Sequence, residues 1–275
     1  VQLWRARLRD FWTLCLSSSR SREDSLSQHA FGGSLDNLLD IALMEPEWSA
    51  DFWQSSRPRL MVDRCTIVCN NMGQTVMLGD TGDTDYPTSV FAKLAYALDD
   101  GGCRFMIDKR LPLATATDEP LRGFNIDVLP VQPESHVGLS VCPGDPLYFQ
   151  TELRHRAGVS ADTGFDKLAF RSGFSDDDAY LLLDGVSGGT HSYNDVNTIG
   201  EFSANRRRWL VAIDRLKGSG MAFHNGVTVA RHGFGPRRHG QAAALLECAQ
   251  GREWAYTATR VPQLNGVDWN RHVFW

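Results

Sequence analysis

The sequence predicts an α+β protein in which helices come first and an antiparallel β-sandwich follows. Two observations carry this. Residues 1–110 hold apolar side chains at helical spacing in several separate runs. After Asp99-Asp100-Gly101-Gly102 the pattern changes: short apolar runs recur about every ten residues, with Gly and Asp between them, as in a sandwich. The reading divides the chain into a helical region, 1–110, and a β region, 111–275. Val1 at one end and Val273-Phe274-Trp275 at the other read as cuts through structure, so truncation at both ends is expected.

The elements follow in order. Leu3, Trp4, Leu8, Phe11, Trp12 and Leu16 form the apolar stripe of a first helix, interleaved with Arg5, Arg7 and Arg9. The Ser/Arg-rich stretch 17–27 reads as a loop. Ser34 is expected to N-cap a second helix striped by Leu35, Leu38, Leu39, Ala42 and Leu43. Pro46 starts a further turn, Leu60–Asn71 reads as a buried helix, and Thr88–Leu98 as a helix with Val90, Phe91, Leu94, Ala95 and Leu98 on one face. Asp80, Asp83 and Asp85 lack the full spacing of a calcium loop and read as turn residues. Pro and Gly concentrated between 110 and 150 mark a linker. Strands are expected at 124–129, 168–172, 179–183, 198–203, 209–213, 221–230, 242–248 and 254–261.

With 42% hydrophobic and 22% charged residues in 275, the composition is that of a soluble globular protein of one or two domains. A net charge of −5 argues against a nucleic-acid partner, and it leaves any anionic substrate dependent on a local basic patch. The six cysteines are scattered without a C-x-x-C pair, so buried thiols are expected, with Cys65 and Cys69 on one packed helix face. No run reaches the ~18 apolar residues of a membrane span.

The stretch with the most chemistry is 184–195, D-G-V-S-G-G-T-H-S-Y-N-D, between two expected strands. Gly185, Gly188 and Gly189 allow positive φ or a close backbone approach to a ligand. His191, Tyr193 and Asp195 follow, spaced two apart, and in an extended segment they share one face. An ordinary hairpin loop has the same composition.

A second group lies downstream. Arg206–Asp214 and Met221–Arg231 read as neighbouring antiparallel strands that bring Asp214 near His224. With Asp195 from the preceding loop, these give an N/O donor set for a divalent ion such as zinc. A simple cross-strand His–Asp pair is the competing reading. Arg206, Arg207 and Arg208 supply positive charge expected near the 184–195 loop, where they could hold carboxylates or sulfates, or merely form a solvated turn.

The phrases F-D-K-L-A-F-R-S-G-F (165–174), Y-L-L-L-D-G (180–185), G-G-T-H-S-Y-N-D (188–195), W-L-V (209–211) and F-H-N-G-V-T-V (223–229) together resemble the heparinase II/III-like polysaccharide lyases. The resemblance covers about 165–230, in family order. It implies that the helices are the last of an (α/α) toroid and that the activity is β-elimination on a uronic-acid-containing polysaccharide. It assigns His191 as base or carboxylate partner; Tyr193, a departure from the family, either replaces a ligand or acts as a phenolic acid/base, and the local charge of Arg206, Arg207 and Arg208 makes them the expected substrate contacts. It also assigns His224, with Asp214 and Asp195, to a mainly structural zinc. Tyr193 stands where many members have a second His, and Asp214 is displaced by two positions. The family's upstream Asn or His and Tyr have no clear counterparts, with Asn70 and Asn71 too weak a match. The implied partner is an anionic polysaccharide, with no nucleic acid and no membrane span, in a periplasmic or secreted setting. The alternatives are a non-catalytic carbohydrate-binding or degenerate lyase-like protein, and a metal-dependent hydrolase using His191, Asp195 and His224.

Overall fold

The computed structural model describes residues 2–17, 34–78, 86–113, 127–144, 158–186, 196–212, 225–234 and 241–275. Within these, the helical part comprises α1 (Gln2–Ser17), α2 (Asp36–Met44), α3 (Pro46–Gln54), α4 (Arg57–Ile67), α5 (Thr88–Leu98) and α6 (Gly101–Arg110). The strands are β1 (Gly138–Pro143), β2 (Phe165–Arg171), β3 (Tyr180–Asp184), β4 (Ile199–Ala204), β5 (Arg207–Val211), β6 (Ala244–Gln250), β7 (Ala255–Leu264) and β8 (Val267–Phe274). The α+β expectation therefore holds. Among the described residues no helix is long and apolar enough to cross a membrane.

The helices form where periodicity placed them. α5 buries Val90, Phe91, Leu94 and Ala95 and stops at Asp99, which adopts left-handed φ. Lys93 is buried on the same helix, and its ammonium pairs with Asp36 and Asp40 at 2.7 Å each, which clamps α5 to α2. Ser34 does not cap α2: the helix begins at Asp36 after Leu35 in helical backbone, without a side-chain cap. Asp36 in the first turn complements the helix dipole instead. Asp99-Asp100-Gly101-Gly102 does not end the helical part either. Asp100 accepts the Cys103 amide at 2.8 Å and so caps α6, while a side chain at Gly101 would strike Val131 and the Leu129 carbonyl.

The strands form two antiparallel sheets, one of five in the order β1-β2-β3-β4-β5 and one of three in the order β6-β7-β8. The larger sheet is the middle layer. Ala169, Tyr180 and Leu182 pack with the helices, while Leu168, Phe170, Leu181 and Leu183 pack with β7 and its neighbours. Every residue of β2 and β3 is consequently buried, which explains their near-continuous apolar runs.

Two strands were not expected. β1 lies inside the Pro/Gly-rich stretch read as linker, and β8 occupies the terminal residues read as a cut. The turn between β7 and β8 carries the Asn265-Gly266 dipeptide, both residues at positive φ, the strongest short hairpin signal in the chain. Residues 127–129 are not a strand, and 226–230 form none either. There the Asn265 amide donates to the Val229 carbonyl, so a side chain stands in for a ladder bond.

Gly185, directly after β3, shows why a glycine sits there. Its N–H bonds the Asp166 carbonyl and its C=O accepts from Ala243, so it is held between β2 and the start of the smaller sheet. A Cβ there would lie 2.1 Å from the Phe165 carbonyl oxygen. The close approach is to the protein's own backbone. Gly185→Ala is expected to cost about 1–3 kcal/mol, read as a lowered urea midpoint at unchanged m-value.

Candidate functional site

Three of the segments singled out in the sequence leave the five-stranded sheet at the same end. β3 ends at Asp184 and β4 begins at Ile199, opposite Leu183. β5 runs antiparallel to β4, so its last residues reach the same end, where Ala212 donates to the Gly200 carbonyl at 2.8 Å. Asn225 then continues along that edge of β4 through its bridge to Ile199. The candidate site residues themselves, His191, Tyr193, Asp195, Asp214 and His224, lie outside the described residues, as do Gly188, Gly189 and the Asp80–Asp85 turn. Of the expected pairing between 206–214 and 221–231, residues 213–224 lie outside the described ones; among the described residues Asn225 bridges Ile199 of β4 and Arg231 bridges Phe234.

The flanks of these segments are firmly tied. Asn197, buried and at positive φ, donates its N–H to the Asp184 carbonyl at 2.6 Å. Its side-chain oxygen accepts from Thr259 at 2.6 Å, and its carbonyl accepts from Arg271 at 2.9 Å. Arg271 also donates to the Asn225 carbonyl at 3.2 Å. One arginine of β8 thereby holds the flanks of both the 187–195 and the 213–224 segments. Burial lowers the pKa of this arginine from its ordinary value.

Beneath the start of the 187–195 segment lies a chain of buried charges. Arg64 of α4 pairs with Asp166 at 2.7 Å, and Lys167 joins Asp166 and Asp184 at 2.8 Å each. Lys167 and Asp184 are direct cross-strand partners on β2 and β3. Asp184 in turn accepts the Val186 amide at 3.3 Å. Burial alone raises the Asp166 pKa, but the two cations outweigh it and hold the carboxyl below its ordinary value.

Two further polar knots occupy the helix–sheet junction. Arg171 is buried, bonded to Asn71 and to the Thr66 and Cys69 carbonyls, with Tyr180 stacked 4.3 Å below its guanidinium. Tyr180 donates to the Ile67 carbonyl at 2.7 Å. Glu201 receives Asn70 at 2.7 Å and Arg208 at 2.7 Å. Burial dominates here, and the Glu201 carboxyl is raised despite both partners. Asn70 also caps the turn after α4 by accepting the Met72 and Gln74 amides. Asn70 and Asn71 therefore act inside the junction, as do Lys167 and Arg171, which the sequence reading had not singled out. Their signal was present: F-D-K-L-A-F-R puts charges into a run that must be buried on both faces.

The three arginines part company. Arg206 occupies the β4–β5 turn at positive φ beside Asp177, at the end of the sheet opposite the 186 and 196 flanks. The basic patch expected beside the 184–195 loop is thus not where Arg206 lies, because β4 spans the full height of the sheet between them. Arg208 is engaged with Glu201, and Arg207 is exposed. Among the described residues no three His, Cys, Asp or Glu side chains are grouped to hold a metal ion.

No family model matches the chain, and no curated protein matches it by sequence. Solved structures do. The fold is that of the heparinase III-type polysaccharide lyases. Heparinase III superposes over 97% of the chain with a TM-score of 0.61 at 13% identity. A mutant of heparan sulfate lyase HepC from Pedobacter heparinus matches over 97% with a TM-score of 0.59 at 14% identity. The unmutated HepC matches over 89% with a TM-score of 0.53. The chain spans 40% of the length of heparinase III, 39% of the HepC mutant and 34% of the unmutated HepC.

Two consequences can be measured. Asp166, with its lowered pKa, contributes stability that is fully present above the ordinary aspartate range near ~4 and is lost as pH falls through its lowered value. The melting temperature of Asp166→Asn should therefore fall less steeply than that of the parent between about pH 6 and about pH 3. Arg208→Ala strands Glu201 and should cost roughly 3–5 kcal/mol, whereas Arg207→Ala should stay within about 0.5 kcal/mol, both by chemical denaturation.

Proposed function

We propose that the chain is a lyase-type polypeptide that takes part in cleaving a uronic-acid-containing polysaccharide by β-elimination. The observation that supports this reading is the heparinase III-like fold over 97% of the chain, together with the ordered motif series 165–230. Base abstraction of the C5 proton sends its electron pair into a new C4–C5 double bond. The C4–O4 bond breaks, and the leaving oxygen takes up a proton. Three groups are needed: a partner for the uronate carboxylate, a base and an acid. In this reading His191 is the base or carboxylate partner and Tyr193 the phenolic acid/base.

Of Arg206, Arg207 and Arg208, the exposed Arg206 and Arg207 are the candidates to meet an anionic chain, at the β4–β5 turn end of the sheet. A structural zinc held by His224, Asp214 and Asp195 belongs to the same proposal, as does a periplasmic or secreted setting. The specific observation favouring the second reading, a non-catalytic carbohydrate-binding or degenerate lyase-like protein, is the altered donor set, with Tyr193 where many family members have a second His and Asp214 displaced by two positions.

The test is ultraviolet absorbance of the conjugated enol-uronate during incubation with heparan-type, alginate and other uronate polysaccharides. Absorbance should rise with the parent, and His191→Ala should slow it by roughly 10²–10⁴-fold. A flat trace from a folded sample that still retains on a polysaccharide column would favour the binding reading. For the zinc, dialysis against a chelator should lower the melting temperature, and an unchanged melt would remove the ion from the proposal.

A further inference from the structure

Alternation along β8 sends Trp269, Arg271 and Val273 toward the five-stranded sheet, and Trp269 and Val273 pack there against the apolar cluster that includes Leu168, Phe170 and Leu183. Arg271 carries a guanidinium into the same layer, where a charge is costly to hold. Burial lowers its pKa from the ordinary arginine value, the mark of a cation withdrawn from water. An aliphatic side chain would fill this position without that cost.

The hydrogen bonds show what the guanidinium does. Its Nε donates to the Asn197 carbonyl at 2.9 Å, and an Nη donates to the Asn225 carbonyl at 3.2 Å. Both acceptors are backbone groups. A guanidinium presents its donors in a rigid planar fork, so the two carbonyls are set relative to each other as well as to β8. The Trp269 ring, 5.1 Å from the guanidinium carbon, helps to orient that fork. A lysine could reach either carbonyl but has no fork with which to fix the pair.

Each carbonyl belongs to the flank of a segment singled out in the sequence. Asn197 donates its N–H to the Asp184 carbonyl at 2.6 Å, and Asp184 donates to the Thr198 carbonyl at 3.1 Å, which makes the neck of the 187–195 segment. Asn197 stands there at φ 58°, a conformation a side chain rarely adopts unless its surroundings enforce it, and Arg271 and Thr259 supply two of the restraints. Asn225 is the flank of the 213–224 segment. Its carbonyl accepts the Ile199 amide at a long 3.5 Å, so the shorter, charge-assisted bond from Arg271 is the firmer hold.

We propose that Arg271 is a positioning residue: by bridging the Asn197 and Asn225 carbonyls it makes the flanks of the 187–195 and 213–224 segments one unit, and so keeps His191 in register for its reaction. The proposal rests on the elimination reading for its chemistry, though not for its geometry. Arg271 acts through the backbone. A base displaced by ~1 Å loses about 10²-fold in rate, whereas binding of a long anionic chain is shared among many contacts.

Hydrogen exchange and steady-state kinetics on Arg271→Ala and Arg271→Lys test this together. The Asn197 and Asp184 amides report one flank, the Ile199 amide the other, and the Leu94 amide of α5 serves as a remote control. In Arg271→Ala both flanks should exchange about tenfold faster, by the same factor, with Leu94 unchanged. Arg271→Lys should lower kcat by about 10–10²-fold while KM stays within about threefold. Guanidinium ion added to Arg271→Ala below denaturing concentration should restore protection and kcat in part, which a mere loss of packing would not allow. Should Arg271→Ala fail to fold, Arg271→Lys carries the exchange test as well. Faster exchange at one flank alone overturns the proposal, as does unchanged exchange at both, or a raised KM at unchanged kcat. A parent that yields no unsaturated product removes the elimination reading instead, and the exchange measurement then decides by itself whether one arginine couples the two flanks.

Discussion

Four charged side chains, Arg64, Asp166, Lys167 and Asp184, meet at the plane where helices and sheet join, and the remaining structure is arranged about them. Ionised groups withdrawn from water cost several kcal/mol each unless every one finds a partner. Here the signs alternate from α4 through β2 to β3, with contacts of 2.7–2.8 Å. The arrangement fixes two degrees of freedom together. It locates α4 over β2, and it locks the register in which Lys167 faces Asp184. A slip of one residue would turn Lys167 into the apolar layer between the sheets, a state with no compensating charge.

This junction explains the unusual middle sheet. β2 and β3 have no solvent face, so their alternation separates two kinds of interior. One side carries Leu168, Phe170, Leu181 and Leu183 against the smaller sheet. The other carries Lys167, Ala169 and Arg171 against Asp184, Leu182 and Tyr180, a face that accepts helix-end carbonyls and charges. Because α4 ends over this face, its buried C-terminal carbonyls, Thr66 and Ile67 among them, find donors in Arg171 and Tyr180. The opposite end of β2 and β3, from which the glycine-rich segment departs, is held by the Lys167–Asp184 pair and by Arg271 from the far layer.

Local patterns were the legible part of the sequence. Thr88–Leu98 reads as a helix because its apolar face repeats at helical spacing, and the bounds observed are the same. β2 through β5 were visible as apolar runs between turns. β1 was hidden by the prolines and glycines around it. β8 was hidden because its apolar residues alternate with Asp, Asn and His, so that only Val273-Phe274-Trp275 stood out, as a cut through structure, and the preceding Asn265-Gly266 was not weighed. The junction was illegible for a different reason. Asn71 and Arg171 are 100 residues apart, and Asn70 and Glu201 are 131 apart. A single sequence shows that buried charges need partners but not which ones. Of the candidate site, the sequence singled out the segments, and the fold brings their flanks to one sheet end; Arg206 went astray because the strand running between it and that end was not counted.

The cysteines give the helix–sheet junction an internal reporter. Cys65, Cys69, Cys103 and Cys142 are buried, and burial pushes the Cys69 and Cys142 thiols up to about 12, with Cys65 and Cys103 also raised. Their reactive thiolate is scarce while the layers stay together. A sulfhydryl reagent thus meets Cys248 on the exposed edge of the smaller sheet at once. The buried four wait for the layers to part. The lag between the two phases is a clock for local opening, readable by mass without a spectroscopic label.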